Sequence, residues 1–270
     1  MKKYIAMLLV LVMALSLAAC GGEEAAPTTE AATEATTEAT TEATIEATTE
    51  ATEAEATVLS HEEYIAAEMD TEVTVETYVQ AHQSWWDGKV TVYCQSPDGA
   101  YFLYNLTCTE EDAEKLVPGT KIRVTGYKIE WSGEVEIMDG TFEFVEDGDT
   151  YIAEALDVTE MLVSEDLIDH QNEFVSFTGL TVEAANENGD AFLYNWDGSG
   201  QEGTDSDLYF DASLNGETYT FVIEYYLCDE TSEVYQAVQN LKVGDVINME
   251  GFLYWYEGMQ PHITAITVAE

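Results

Sequence analysis

The run from Leu116 to Tyr127 is written again 125 residues later, from Leu241 to Phe252. Gly119, Gly126 and Gly133 fall on Gly244, Gly251 and Gly258 at that single offset. A repeat of this kind means two copies of one folding unit, which restricts the fold to something about a hundred residues can build alone. Three further anchors keep the same order. Trp86-Asp87-Gly88 matches Trp196-Asp197-Gly198, the turn pair Asp98-Gly99 matches Asn215-Gly216, and Cys108 before a helix matches Cys228 before a helix. The identical tetrapeptides starting at Phe102 and Phe192 fall outside this frame and do not outweigh it.

Each copy reads as strand, strand, strand, helix, strand, strand, from alternating apolar runs bounded by turn residues. In the first copy the strands are expected near 72–84, 89–95, 100–107, 120–131 and 134–145, with a helix near 109–116. In the second they are expected near 173–185 extended by 190–196, then 207–214, 218–227, 245–256 and 260–268, with a helix near 230–240. Asn215-Gly216 between alternating runs is the strongest hairpin signal in the chain. Five strands with a helix between the third and fourth is the order of the OB-fold barrel. The expected fold class is therefore mainly β: two tandem OB-fold-like five-stranded barrels, each with one short helix. The divisions are a leader at 1–20, a stalk at 21–57, a first barrel at 58–148, a linker at 149–171 and a second barrel at 172–270.

The N-terminus supplies a different kind of signal. Lys2 and Lys3 precede an apolar run over residues 4–15, the layout of an export signal. That run is too short for a stable membrane span. It ends in Leu17-Ala18-Ala19-Cys20, which resembles the lipobox of bacterial lipoproteins. The resemblance implies cleavage before Cys20 and a diacylglycerol on its thiol, hence a membrane anchored through lipid at Cys20. Two acyl chains suffice for stable anchoring. Gly21 follows where inner-membrane retention would call for Asp, so the expected place is the outer face of a Gram-positive plasma membrane. Residues 28–57 are almost wholly Glu, Ala and Thr, with no base and one large apolar residue, Ile45. Such a stretch cannot bury enough apolar area to offset its ordering entropy, and a disordered spacer is expected. Lipobox, glycine spacing and hairpins together resemble secreted tandem OB-fold lipoproteins of Gram-positive bacteria.

Charge and motif narrow the function. The chain holds 54 acidic and 8 basic residues. Phosphate backbones draw most of their affinity from Lys and Arg, so nucleic acid is set aside as a partner at this stage. The bases that remain for it are chiefly Lys121, Arg123 and Lys128. His61, His82, His170 and His262 fall in no metalloprotease motif, and no nucleophile elbow, phosphate loop or dinucleotide fingerprint is present. No enzyme, metal or cofactor is expected. Asp197, Ser199, Asp205, Asp207 and Asp211 invite a calcium reading, but Glu202 stands where an EF-hand needs Gly and Leu208 where it needs Glu.

Aromatic residues carry the binding expectation. OB-folds take ligands across their second and third strands and the loops after strands one and four. Those loops carry Trp85 and Trp86 in the first barrel, and Trp196 and Trp255 in the second; these four are the candidate ligand-binding residues. Adjacent in one strand, only one of Trp85 and Trp86 can face inward. A bulge at Gly126 is expected to turn Tyr127, Ile129 and Trp131 toward the core, and its counterpart to turn Phe252, Tyr254 and Tyr256 inward and Trp255 outward. The expected function is a membrane-anchored, extracytoplasmic binding or adaptor lipoprotein without catalytic activity, for a glycan, peptide or envelope protein. The alternatives are an OB-fold nucleic-acid binder and a purely structural spacer.

Overall fold

A computed structural model describes residues 57–146 and 148–269. The leader, Cys20 and the stalk as far as residue 56 lie outside them. The first barrel is built from β1 (Thr71–His82), β2 (Lys89–Ser96), β3 (Gly99–Thr107), β4 (Lys121–Trp131) and β5 (Glu134–Phe144), preceded by α1 (His61–Ala66) and interrupted by α2 (Glu110–Ala113). Its strands close in the order β1-β2-β3-β5-β4, with β4 returning to β1 and β3 running parallel to β5. A linker strand, β6 (Leu156–Asp157), and two 3₁₀ turns lead to the second barrel. That barrel consists of β7 (Phe174–Val182), β9 (Leu208–Leu214), β10 (Glu217–Ile223), β11 (Val246–Phe252) and β12 (His262–Val268), with α3 (Glu233–Gln239) between its third and fourth strands. It closes through β7–β9 pairing, again with one parallel pair, β10 with β12. β8 (Leu193–Tyr194) pairs along β9. Both barrels therefore have the OB-fold topology expected from the repeat.

The repeated glycines have repeated reasons. Gly119 and Gly244 both sit at positive φ, +88° and +94°, in the turn that launches the fourth strand. Gly126 and Gly251 are corner positions where the neighbouring strand presses on the backbone. A Cβ on Gly126 would meet the Met138 carbonyl at 3.0 Å, and one on Gly251 would meet the Ile263 Cα at 2.7 Å. The Asn215-Gly216 hairpin has both residues at positive φ, as a primed turn requires.

Two elements depart from expectation. α2 spans four residues instead of eight, because Lys115 and Leu116 form i→i+3 bonds to Asp112 and Ala113 that tighten the chain and drop Leu116 into the core. β7 stops at Val182, and β8 joins β9 instead of extending β7. The cause is an Asn turn: Asn186 Oδ1 accepts from the backbone N–H groups of Asn188 and Asp190.

Each barrel has its own apolar core. Val75, Val92, Leu103, Ile122 and Ile137 belong to the first, and Phe177, Phe210, Phe221, Ile247 and Ile263 to the second. Lys128 is an exception in this setting. Its ammonium is buried and donates to the carbonyls of Tyr64, Ile65 and Ala67 at 2.8–2.9 Å, satisfying the end of α1 and fixing it to β4. Arg123 bridges Glu76 and Glu143 across β1, β4 and β5, and Lys121 also pairs with Glu76. Cys94, Cys108 and Cys228 are free thiols. Among the described residues no helix is long and apolar enough to cross a membrane.

A third cluster joins the barrels. Tyr93 and Phe102 of the first pack on Phe252, Phe174 and Tyr254 of the second. Tyr93 stacks on Phe252 at 4.6 Å between ring centroids. Backbone groups are stitched across the same seam: Gln95 Oε1 accepts from Phe174 N–H, Glu134 Oε2 from Trp255 N–H, and Gln171 makes two bonds to Gly133 and Val135.

Candidate ligand cleft between the barrels

Beside this seam lies a cleft of about 850 Å³, within the range of small-molecule sites. One wall is the outer face of β3, β5 and β4. Phe102, Glu136 and Ile129 are register partners across these strands and form one row. Tyr104 and Met138 form the next row, and Trp131 stands at the edge. The opposite wall is the face of the second barrel that corresponds to where OB-folds in general take ligands. It comprises Tyr209 on the second strand, Glu224 just after the third, Trp196 from the loop after the first, and Tyr254, Tyr256, Glu257 and Gln260 from the loop after the fourth. The first barrel thus covers that face of the second.

At the bottom of the cleft, burial fixes several protonation states. His262 is fully enclosed, stacks on Tyr254 at 4.3 Å and is pushed down to about 3, so it is neutral. The Tyr93 hydroxyl is buried 2.6 Å from His262 Nδ1, and its other neighbour, Gln83 Nε2, is a donor, so the imidazole nitrogen is the acceptor within reach of the phenol proton. That leaves the ring proton on Nε2. Glu136 is 4% exposed, and no hydrogen bond or ion pair from any described residue reaches its carboxylate. Burial raises it to about 7. Glu224 also rises to about 7, first through burial and then through the Asp207 carboxylate, against the opposing N–H bonds of Leu227 and Tyr226. Glu134, two residues before Glu136 on the same face of β5, is likewise raised by burial.

The bulge reading of the aromatics is corrected. Burial alternates without a break through Ile122, Val124, Gly126 and Lys128, so Tyr127, Ile129 and Trp131 stay on the outer face. Trp131, expected in the core, is 59% exposed at the cleft edge. The second barrel reverses likewise. Leu253 enters the core and Trp255 packs against its margin, lying over Gly133, while Tyr254 and Tyr256 line the cleft. The bulges shift register against the neighbouring strand without exchanging the two faces. Of the four candidate tryptophans, the structure brings only Trp196 to the cleft, 75% exposed. Trp85 packs on the first core and donates from Nε1 to the Cys108 carbonyl, and Trp86 is exposed at the turn before β2. Trp85, Trp86 and Trp255 are not among its lining residues. The residues missed by sequence reasoning are Glu136, Glu224 and His262. His262 had been noted only for lacking a metal motif, and nothing local distinguishes two glutamates among so many acids.

The acidic side chains after Trp196 accept from groups of the second barrel and of their own loop. Asp197 accepts from Ser199 N–H, Asp207 from Tyr225 N–H and Asp211 from the Thr220 hydroxyl. Among the described residues no three His, Cys, Asp or Glu side chains come together as a metal set.

No protein-family model and no curated protein matches the chain. Solved structures similar to it include the p204 HINb domain, at 12% identity and a TM-score of 0.33, covering 75% of this chain and all of that one. The Ifi202 HINa domain in complex with 20-base-pair double-stranded DNA has 10% identity and a TM-score of 0.32, covering 74% and 98%. A replication protein A heterotrimer bound to single-stranded DNA has 10% identity and a TM-score of 0.27, covering 72% and 49%. One expectation is corrected here. Net charge had set nucleic acid aside as a partner, and with DNA-bound proteins among these structures that exclusion is withdrawn.

Proposed function

We propose that this chain is a lipid-anchored, extracytoplasmic binding protein without catalytic activity, and that it holds its ligand in the cleft between its barrels. The observation carrying the site is a ring-lined cavity that encloses Glu136, a buried carboxylate with no partner among the described residues. The anchor rests on the lipobox-like run ending at Cys20. The non-catalytic reading rests on the sequence, in which no metalloprotease motif, nucleophile elbow, phosphate loop or dinucleotide fingerprint stands.

Nucleic acid is the second reading. The second barrel's wall is the face on which OB-folds take oligonucleotides, and Trp131 and Trp196 offer exposed rings for stacking bases. Because Arg123 and Lys121 are engaged with Glu76, stacking would supply most of the affinity and the salt dependence would be shallow.

The test titrates the full chain with a neutral oligosaccharide and with a single-stranded oligonucleotide, read by calorimetry, which keeps its signal when a tryptophan is replaced. A saturable change that disappears in Trp131→Ala and Trp196→Ala supports the cleft. Saturation by the oligonucleotide alone, with a shallow salt slope, assigns the second reading. Binding that survives both substitutions places the ligand elsewhere and removes the cleft from the account.

A further inference from the structure

The cleft's lining includes three carboxylates, Glu136, Glu224 and Glu257, and neither Lys nor Arg. Ionised carboxylates removed from water need a partner charge or several hydrogen bonds. Glu224 has backbone N–H groups, and Glu257 is exposed. Glu136 makes no hydrogen bond with any described residue and is 4% exposed; it sits between Phe102 and Ile129, and what surface it keeps opens on the cleft. The described chain supplies no cation to it, so in the free cleft a proton neutralises it in part, and a ligand cation can take that place.

The rest of the wall says what kind of cation fits. Calcium-like ions need six to eight oxygens, and magnesium keeps its waters. Here most of the lining beyond the carboxylates is aromatic, with Met138, Ile129 and the amides of Gln83 and Gln260, and among the described residues no three His, Cys, Asp or Glu side chains form a metal set. Ring faces attract a large, weakly hydrated cation through their quadrupoles and shed little water in doing so.

Resting on the reading of the cleft as the ligand site, we infer that it takes a small molecule carrying an alkylated ammonium group. The charge sits over Glu136 and Glu224, and the alkyl faces pack against Tyr254, Tyr256, Trp131 and Trp196. The free cleft at neutral pH holds part of a proton on each of the two glutamates, so entry of the cation expels protons. Among the other titratable groups near the site, His262 stays neutral, burial holds Tyr254 in its phenol form, and burial raises Glu134, on the same face of β5 as Glu136.

The experiment titrates the full chain with tetramethylammonium chloride at neutral pH, using tryptophan fluorescence and calorimetry in two buffers of different ionisation heat. Neopentyl alcohol, a soluble neutral near-isostere with the same branched shape and one added hydroxyl, and matched sodium chloride are the controls, and trilysine tests a peptide as the source of the ammonium group. The expected result is saturable binding of tetramethylammonium, with proton release and no saturable response to the isostere or the salt. Glu136→Gln and Trp196→Ala should each weaken it about tenfold, while Trp86→Ala should not change it. Equal binding of the isostere, or unchanged affinity in Glu136→Gln, overturns the cation. Tighter binding of trilysine overturns the small-molecule source. If tetramethylammonium fails while an oligosaccharide or oligonucleotide still quenches Trp196, the cleft stands and only the ligand class falls. If none of these probes responds, both readings fall.

Discussion

Replacing Glu136 by glutamine separates the cost of a buried charge from the packing around it. The carboxyl rises from 4.5 to about 7 because folding removes it from water. Between those values the folded protein keeps a proton that the unfolded chain releases. Stability therefore falls as pH rises through this window and is level on either side. A shift of about 2.5 units corresponds to about 3 kcal/mol at pH 8, and to almost nothing at pH 4. Glutamine has the same shape and never ionises. Glu136→Gln should match the parent at pH 4, apart from any pH-independent packing term, and exceed it by about 3 kcal/mol at pH 8. For a folded part of this size that is roughly 6–12 °C in Tm. Glu134, Glu224 and Asp207 are also raised and slope the same way, so the difference between the two proteins isolates Glu136. Urea unfolding followed by tryptophan fluorescence at pH 4 and pH 8 measures it. An equal gain at both pH values would refute the reasoning, because it would trace the effect to packing instead of ionisation.

Other perturbations probe the seam, the helix and the anchor. Lys128→Met leaves three carbonyls at the end of α1 without their donor; it should cost about 2–4 kcal/mol and expose 61–67 to early proteolysis. Tyr93→Phe removes the donor to His262 Nδ1 inside the inter-barrel cluster. It should cost about 1–3 kcal/mol in urea unfolding, against near neutrality for Gln83→Ala, whose bond to Tyr93 is long at 3.5 Å. Cys20→Ala should release the protein from cell membranes or leave its precursor uncleaved, as read by fractionation and mass. Membrane-bound protein of mature size in that variant would remove the anchor.

Much of the fold is legible in the chain because its causes are local. Gly119 and Gly244 answer to a turn, Gly126 and Gly251 to a close backbone approach, and Asn215-Gly216 to a hairpin twist, and each leaves its mark at the residue concerned. Period-two alternation likewise locates strands from neighbours in sequence. It cannot say which face is inside when both faces are apolar, and here both are. The outer face of β3, β5 and β4 is ringed with Phe102, Tyr104 and Trp131 because a second barrel covers it. That is why the inward reading of Trp131 and Tyr254 failed while the strands holding them were placed well. The candidate site depended on the same contact. Trp196 was legible as a loop aromatic, whereas Glu136 became distinctive only when Phe102, Ile129 and the second barrel closed around it. Burial and the absence of a partner are properties of the assembled pair of barrels, set by residues as far apart in sequence as Phe102 and Tyr254, and no local pattern encodes them.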